Sequence, residues 1–186
     1  MFIFNILMNI NPEKIARSTA EAFTEFYNNY LPKVFRYISY RVSDTHQAED
    51  LTSIVFEKAL TKFKSYRSDK SAFSTWIFRI ARNTLIDNFR VSSRQKTVPL
   101  DRVTNDPKNG STPEQMLLEK EESRILKRCI LKLSPKEQEI ISLKFGADMN
   151  NRQIAGILGL SDSNVGIILF RAVRKLRNDF MGQGNG

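Results

Sequence analysis

Cationic, amide and aromatic side chains recur at helical spacing in two stretches of this chain. That mixture suits contact with a phosphate backbone and unstacked bases rather than bond-breaking chemistry. The first stretch is SYRSDKSAFSTWIFRIARNTLIDNFR, Ser65 to Arg90. Tyr66, Arg67, Lys70 and Phe73 gather in a polar, serine-rich turn. Single-strand capture needs this combination: cations follow the backbone while aromatic faces or pockets hold bases, each stack worth ~1–3 kcal/mol. In the helix that follows, Phe73, Ile77, Ile80 and Thr84 fall on one face. Arg79, Arg82, Asn83, Ile86 and Arg90 fall on the other, with Trp76 at the boundary. An ordinary amphipathic helix with solvated arginines carries the same stripe; the loop before it favours binding. Asp87 is better suited to hold a neighbouring arginine than to touch DNA.

The second stretch is NNRQIAGILGLSDSNVGIILFRAVRKLRN, within Asn150 to Phe180. A short helix places Ile154, Ala155 and Leu158 on one side, Gly159 ends it, and Leu160 plugs the corner. Ser161 caps a second helix that turns Val165, Ile168, Leu169, Ala172 and Leu176 inward. Ala155 is small because the helices cross steeply there, and Gly159 reverses the chain tightly. A plain helical hairpin is the alternative. The basic cluster Arg171, Arg174, Lys175 and Arg177 favours a helix-turn-helix, whose recognition helix needs phosphate anchors beside its base-reading face. Ser163, Asn164, Ile167 and Phe170 complete the outward face. Ile167 and Phe170 either touch thymine methyls or are covered by a partner protein.

A third stretch is acidic. In AEDLTSIVFEKALTKF, Leu51, Val55, Leu60 and Phe63 point inward while Glu49, Asp50, Ser53 and Glu57 share another face. On a chain of net charge +9, an acidic face suits a protein partner better than DNA. Acids beside a helix N-terminus also fit a solvated face favoured by the dipole.

The elements that position these residues read as helical throughout, because apolar residues recur at three- and four-residue steps without sustained alternation. The fold class expected is all-α, as two small helical domains on a tether. Residues 1–17 form an N-terminal extension and 18–91 the first domain. The stretch 92–112, poor in large apolar residues and carrying Asn109-Gly110, forms a linker. Residues 113–181 form the second domain and 182–186 a disordered tail. Thr112-Pro113-Glu114-Gln115 and Ser134-Pro135-Lys136-Glu137 both fit capping boxes. Gly146 and Gly159 are expected to end helices in the left-handed conformation.

Composition narrows the function classes. Hydrophobic residues are 41% and charged residues 26% of the 186, enough to bury a core, and the pI near 9.8 favours a polyanionic partner. Cys129 and His46 stand alone, which excludes an intrachain disulfide and cysteine-cluster or multi-histidine metal sites. Cys129 reads as a packed thiol and His46 as an exposed residue near a helix start. No catalytic residue, metal ligand, cofactor or small-molecule substrate is expected. The apolar start MFIFNILM is too short to span a bilayer and lacks the leading positive charge of a secretory signal. The chain is expected to be cytoplasmic, without membrane insertion.

Three blocks together resemble one family. LSPKEQEIISLKFGADMNNRQIAGILGLSDSNVGIILFRAVRKLR, Leu133 to Arg177, resembles region 4 of the extracytoplasmic-function sigma factors of bacterial RNA polymerase, which reads the −35 promoter element. Gly166, Ile167 and Ile168 stand where many members have a polar or basic run. The acidic stretch resembles region 2.2, which docks on the polymerase clamp, with Ser53-Ile54 in place of the common Gln-Glu. Phe-x-x-Trp, Ile-Ala-Arg-Asn, Asp87 and Arg90 resemble regions 2.3 and 2.4. The resemblance implies core-polymerase contacts at Glu49, Asp50, Ser53 and Glu57. It implies −10 and single-strand contacts at Tyr66, Arg67, Lys70, Phe73, Trp76, Arg79, Arg82, Asn83 and Arg90. The −35 contacts are expected at Ser163, Asn164, Ile167, Phe170, Arg171, Arg174 and Lys175. The partners implied are core RNA polymerase, promoter DNA and an anti-sigma factor. A helix-turn-helix regulator acting independently of polymerase is the alternative.

Overall fold

The structure, a computed structural model, describes residues 17–67, 72–94 and 113–183. The described residues are helical with short connections, as the periodicity predicts. Helix α1 (Arg17–Ser39) contributes Phe23, Val34, Tyr37 and Ile38 to the core. Helix α2 (Thr45–Lys62) is capped by Asp44, whose carboxylate accepts from the His46 N–H at 3.1 Å. It buries Ala48, Leu51, Thr52, Val55, Phe56 and Ala59. A 3-10 turn (Phe63–Ser65) follows, then α3 (Phe73–Arg94), which turns Phe73, Ile77, Ile80 and Thr84 into the bundle as its stripe requires. Thr84 is buried beneath Lys58, whose ammonium donates to its hydroxyl at 3.2 Å.

The second half comprises α4 (Pro113–Lys132), α5 (Pro135–Ile141), a π-helical turn (Ser142–Gly146), α6 (Asn151–Leu158) and α7 (Asp162–Gln183). Ser134 and Glu137 make the expected reciprocal capping box at α5. Asn150 and Gln153 make a second one at α6 that the sequence reading passed over. Ile130, Leu133, Ile141 and Ala172 form a small cluster where α4, α5 and α7 meet, and Cys129 is buried as expected. Burial raises the Cys129 thiol above its ordinary pKa, which suits packing rather than reactivity.

The two halves dock. Phe78 and Tyr37 of the first and Leu143, Met149 and Ile154 of the second belong to one continuous core. Gly146 is central to this contact, and here the expectation is corrected. It has no positive φ; among the described residues the left-handed ones are Gly159 (φ 67°) and Asp148 (φ 55°). A Cβ on Gly146 would stand 2.9 Å from the Tyr37 Cα, so close backbone approach, not a helix stop, requires glycine there.

Two boundaries also shift. Helix α3 runs through Ser92 to Arg94, into the stretch expected to be linker, and α7 includes Gly182 and Gln183 of the expected tail. The Thr112 cap, Lys70 and most of the linker lie outside the described residues.

Candidate nucleic-acid interface

The loop and the start of α3 build an aromatic cluster. Phe73 stacks on Phe26 with ring centroids 4.0 Å apart, and Tyr66 lies 5.5 Å from Phe73 and 5.0 Å from Trp76. Phe73 is buried, which corrects its assignment as a base contact: no ring face is left to meet a base, so it supports the others. Tyr66 and Trp76 are half-buried and Arg67 is exposed, so these three keep surface available to a ligand. Burial foremost, then the neighbouring Tyr30, pushes the Tyr66 phenol above its ordinary pKa, leaving it a neutral donor.

Along α3, Asn83 and Arg90 are exposed, and Asp87 stands 4.0 Å from Arg90, as a residue steadying that arginine would. Arg79 and Arg82 are engaged within the chain. Arg79 donates to the Gly156 carbonyl at 2.9 Å, and Arg82 donates through Nε to Glu139 at 2.8 Å. Glu139 also lies 3.9 Å from Arg41 Nη1. The nearby Tyr37 hydroxyl is buried without a partner at hydrogen-bonding geometry, and Arg41 Nε and Nη1 likewise lack one. Burial first, then the Glu139 charge, drives the Tyr37 phenol well above its ordinary value. Sequence reasoning missed this cluster, and no local signal announces it, because Tyr37 lies in α1, Arg41 in the turn after it, Arg82 in α3 and Glu139 in α5.

Helix α2 presents Glu49, Asp50 and Glu57 to solvent with Ser53 half-buried between them. Glu49 lies 3.4 Å from His46 Nδ1. Ile54, left unassigned from sequence, is exposed on this helix, an apolar group among the acids.

Helices α6 and α7 meet at 104°, inside the range of DNA-binding helix-turn-helices. Gly159 turns the corner at φ 67° with its N–H donating to the Ala155 carbonyl, and Ser161 Oγ accepts from the Asn164 N–H at 3.2 Å. Ser163, Asn164, Ile167, Phe170, Arg171 and Arg174 all face solvent, Phe170 at 70% exposure. Lys175 is tied down, its ammonium 2.6 Å from Glu137. The Lys175 hydrogen bond is the main reason the Glu137 carboxyl lies below its ordinary 4.5, with Ser134 adding to it against desolvation. A depressed carboxylate contributes stability above its unfolded pKa and loses it as pH falls through the folded one. Thermal melts of Glu137→Gln are therefore expected to depend less on pH than wild type between about pH 6 and 3. Parallel curves would show that the pair contributes nothing.

Among the described residues no group of three or more His, Cys, Asp or Glu could hold a metal ion, and no single helix is long and apolar enough to cross a membrane.

Two family models match this chain: Sigma-70 region 2 over residues 26–95 and Sigma-70 region 4 over residues 123–176. The ECF RNA polymerase sigma factor BldN of Streptomyces coelicolor is 30% identical over 88% of this chain, which spans 62% of that longer relative. SigM of Bacillus subtilis, also an ECF RNA polymerase sigma factor, is 29% identical over 82% of this chain and 91% of its own length. Among solved structures, the sigma factor RpoE of Bartonella quintana, crystallised with the anti-sigma factor NepR, superposes with a TM-score of 0.70. It is 23% identical and the match covers 87% of this chain and 98% of that one, a likeness of fold. With regions 2 and 4 matched in order on one chain whose described residues are helical, the protein belongs to the extracytoplasmic-function sigma factors, initiation factors of RNA polymerase.

Proposed function

We propose that this chain binds core RNA polymerase through the acidic face of α2, holds the −10 element on α3 and the Tyr66–Trp76 cluster, and reads the −35 element with α7. One observation carries this reading: an exposed acidic helix, an arginine-asparagine face beside half-buried aromatics, and a 104° helix-turn-helix occur on one basic chain. Each module alone is weak evidence. A repressor accounts for α6–α7 but leaves the acidic face and aromatic cluster without a task.

The melting step needs no nucleotide hydrolysis. Holding extruded bases offsets unstacking and unpairing, a few kcal/mol per flipped base. Two weak promoter contacts on one chain add through effective concentration only if their spacing is right, and polymerase supplies that spacing. The protein acts in the cytoplasm and carries out no catalysis of its own. Relatives solved with anti-sigma factors support such a partner here, and exposed Ile167 and Phe170 are apolar surface it would cover.

Run-off transcription on a promoter library with core polymerase tests the proposal. Discrete start sites that depend on this chain are expected; a chain that neither co-purifies with core nor directs initiation is not acting as proposed. Asp50→Lys is expected to weaken core binding about tenfold, because it places a cation in an acidic face. Normal affinity would remove α2 from the contact. Arg174→Ala is expected to lower promoter affinity and reduce the salt slope of holoenzyme binding by about one; an unchanged slope would place Arg174 off the phosphates.

A further inference from the structure

The outward face of α7 carries no polar side chain at its centre. Ile167 stands at 52% exposure and Phe170 at 70%, while Val165 and Ala172 on the opposite side are fully buried. Ile168 and Leu169 are half-buried against the core, and Gly166 has no side chain. From Val165 to Phe170 the helix therefore offers no side-chain donor or acceptor. Polar groups resume at either end, Ser163 and Asn164 before the gap and Arg171 and Arg174 after it, all exposed. Lys175 is engaged by Glu137 at 2.6 Å.

An apolar centre flanked by cations fits one occupant. The phosphates of a DNA duplex meet the arginines, and the floor of its major groove presents one apolar group, the C5 methyl of thymine. Ile167 and Phe170 are three residues apart, which places them about 5–6 Å from each other on one helix face. That span covers one to two base steps of about 3.4 Å.

We infer that α7 reads the 5-methyl group of pyrimidines in the −35 element and does not distinguish thymine from 5-methylcytosine. The inference rests on the assignment of α7 to that element and deepens it. Thymine O4 accepts and cytosine N4 donates, so telling them apart takes a polar side chain. The paired purines differ in the same way, adenine donating where guanine accepts. No such side chain lies between Asn164 and Arg171. What separates the bases there is the methyl. Its burial against Ile167 or Phe170 stabilises the complex, and its absence from uracil or cytosine leaves a gap. Methylation of cytosine C5 within the element therefore acts on this chain as a gain of thymine.

Holoenzyme titrated with fluorescein-labelled duplexes, carrying the −35 element selected from the run-off library, tests this. Each thymine of the element, on either strand, is replaced singly by uracil, by cytosine and by 5-methylcytosine, the last two paired with guanine. At one or two positions uracil and cytosine are expected to weaken binding about fourfold, the worth of one buried methyl. At those positions 5-methylcytosine is expected to restore the affinity of thymine. Phe170→Ala and Ile167→Ala are each expected to erase the discrimination at one position. Both keep the wild-type melting temperature, because exposed side chains leave no cavity. Uracil bound as tightly as thymine throughout would overturn the inference and assign the two side chains to a protein partner. A 5-methylcytosine bound no better than cytosine, or discrimination that survives both alanine variants, would overturn it as well. The −35 assignment fails separately, and visibly, if Arg174→Ala holoenzyme keeps the wild-type promoter affinity and salt slope.

Discussion

Asn83→Ala holoenzyme is expected to form open complexes about tenfold less well than wild type, while the free variant melts at the wild-type temperature and binds core polymerase normally. The contrast follows from position. Asn83 is exposed on the face of α3 opposite the buried Ile77, Ile80 and Thr84, so truncating it leaves no cavity. What it loses is a donor and an acceptor aimed at the strand, and one hydrogen bond to a charged or unstacked partner is worth roughly 1.5–3 kcal/mol. Trp76→Ala is expected to lose more, but by two routes. Half-buried among Tyr66, Phe73 and Phe63, it supports the cluster as well as offering surface to a base. A drop in open complex with Trp76→Ala and none with Asn83→Ala would mean that α3 only supports the loop. Permanganate footprinting of the melted segment, beside a core pull-down, separates the two.

That pair of residues also shows what one chain's sequence reveals. The 3.6-residue period sorted α3 into its buried and exposed sides, because burial of Phe73, Ile77, Ile80 and Thr84 is decided within the helix's own stripe. The helix-turn-helix was legible for a similar reason. Ala155, Gly159, Ser161 and Val165 each meet a local steric or capping demand, and the structure places each accordingly. Residues whose surroundings come from distant segments were not legible. Phe73 looks equally suited to core and to base stacking until Phe26, some forty-seven positions away, is found stacked on it. Gly146 carries the same letter as Gly159, yet its need for glycine comes from the Tyr37 backbone and not from its own φ. Arg79 and Arg82 looked like phosphate ligands, and nothing near them in sequence indicated that Gly156 and Glu139 would reach them first.

Glu139→Ala is expected to produce the largest physical change of any single truncation at the seam, and the form of that change distinguishes docked modules from one indivisible unit. The carboxylate is half-buried, at 13% side-chain exposure, and faces Arg82 at 2.8 Å and Arg41 at 3.9 Å; Arg41 is at 8% and Arg82 at 33%, so Arg41 bears most of the desolvation. Removing one partner from a buried ionic cluster normally costs ~3–5 kcal/mol, since the remaining charges stay desolvated. Here the arginines have an escape. Arg41 and Arg82 belong to α1–α3 and its connecting turn, Glu139 to α5, so parting the two halves returns both guanidiniums to water. The cost is then capped at the free energy of docking. The variant is expected to keep its helical signal at 25 °C, expand in scattering, and show two calorimetric transitions where wild type shows one. Ile141→Ala makes the control, because Ile141 packs with Ile130, Leu133 and Ala172 entirely within the second half. Its cavity costs ~2–5 kcal/mol and has no such escape, so helix is lost from α4, α5 and α7 on mild heating. A Glu139→Ala protein that stays compact and melts in one lowered transition would show that the halves fold only together.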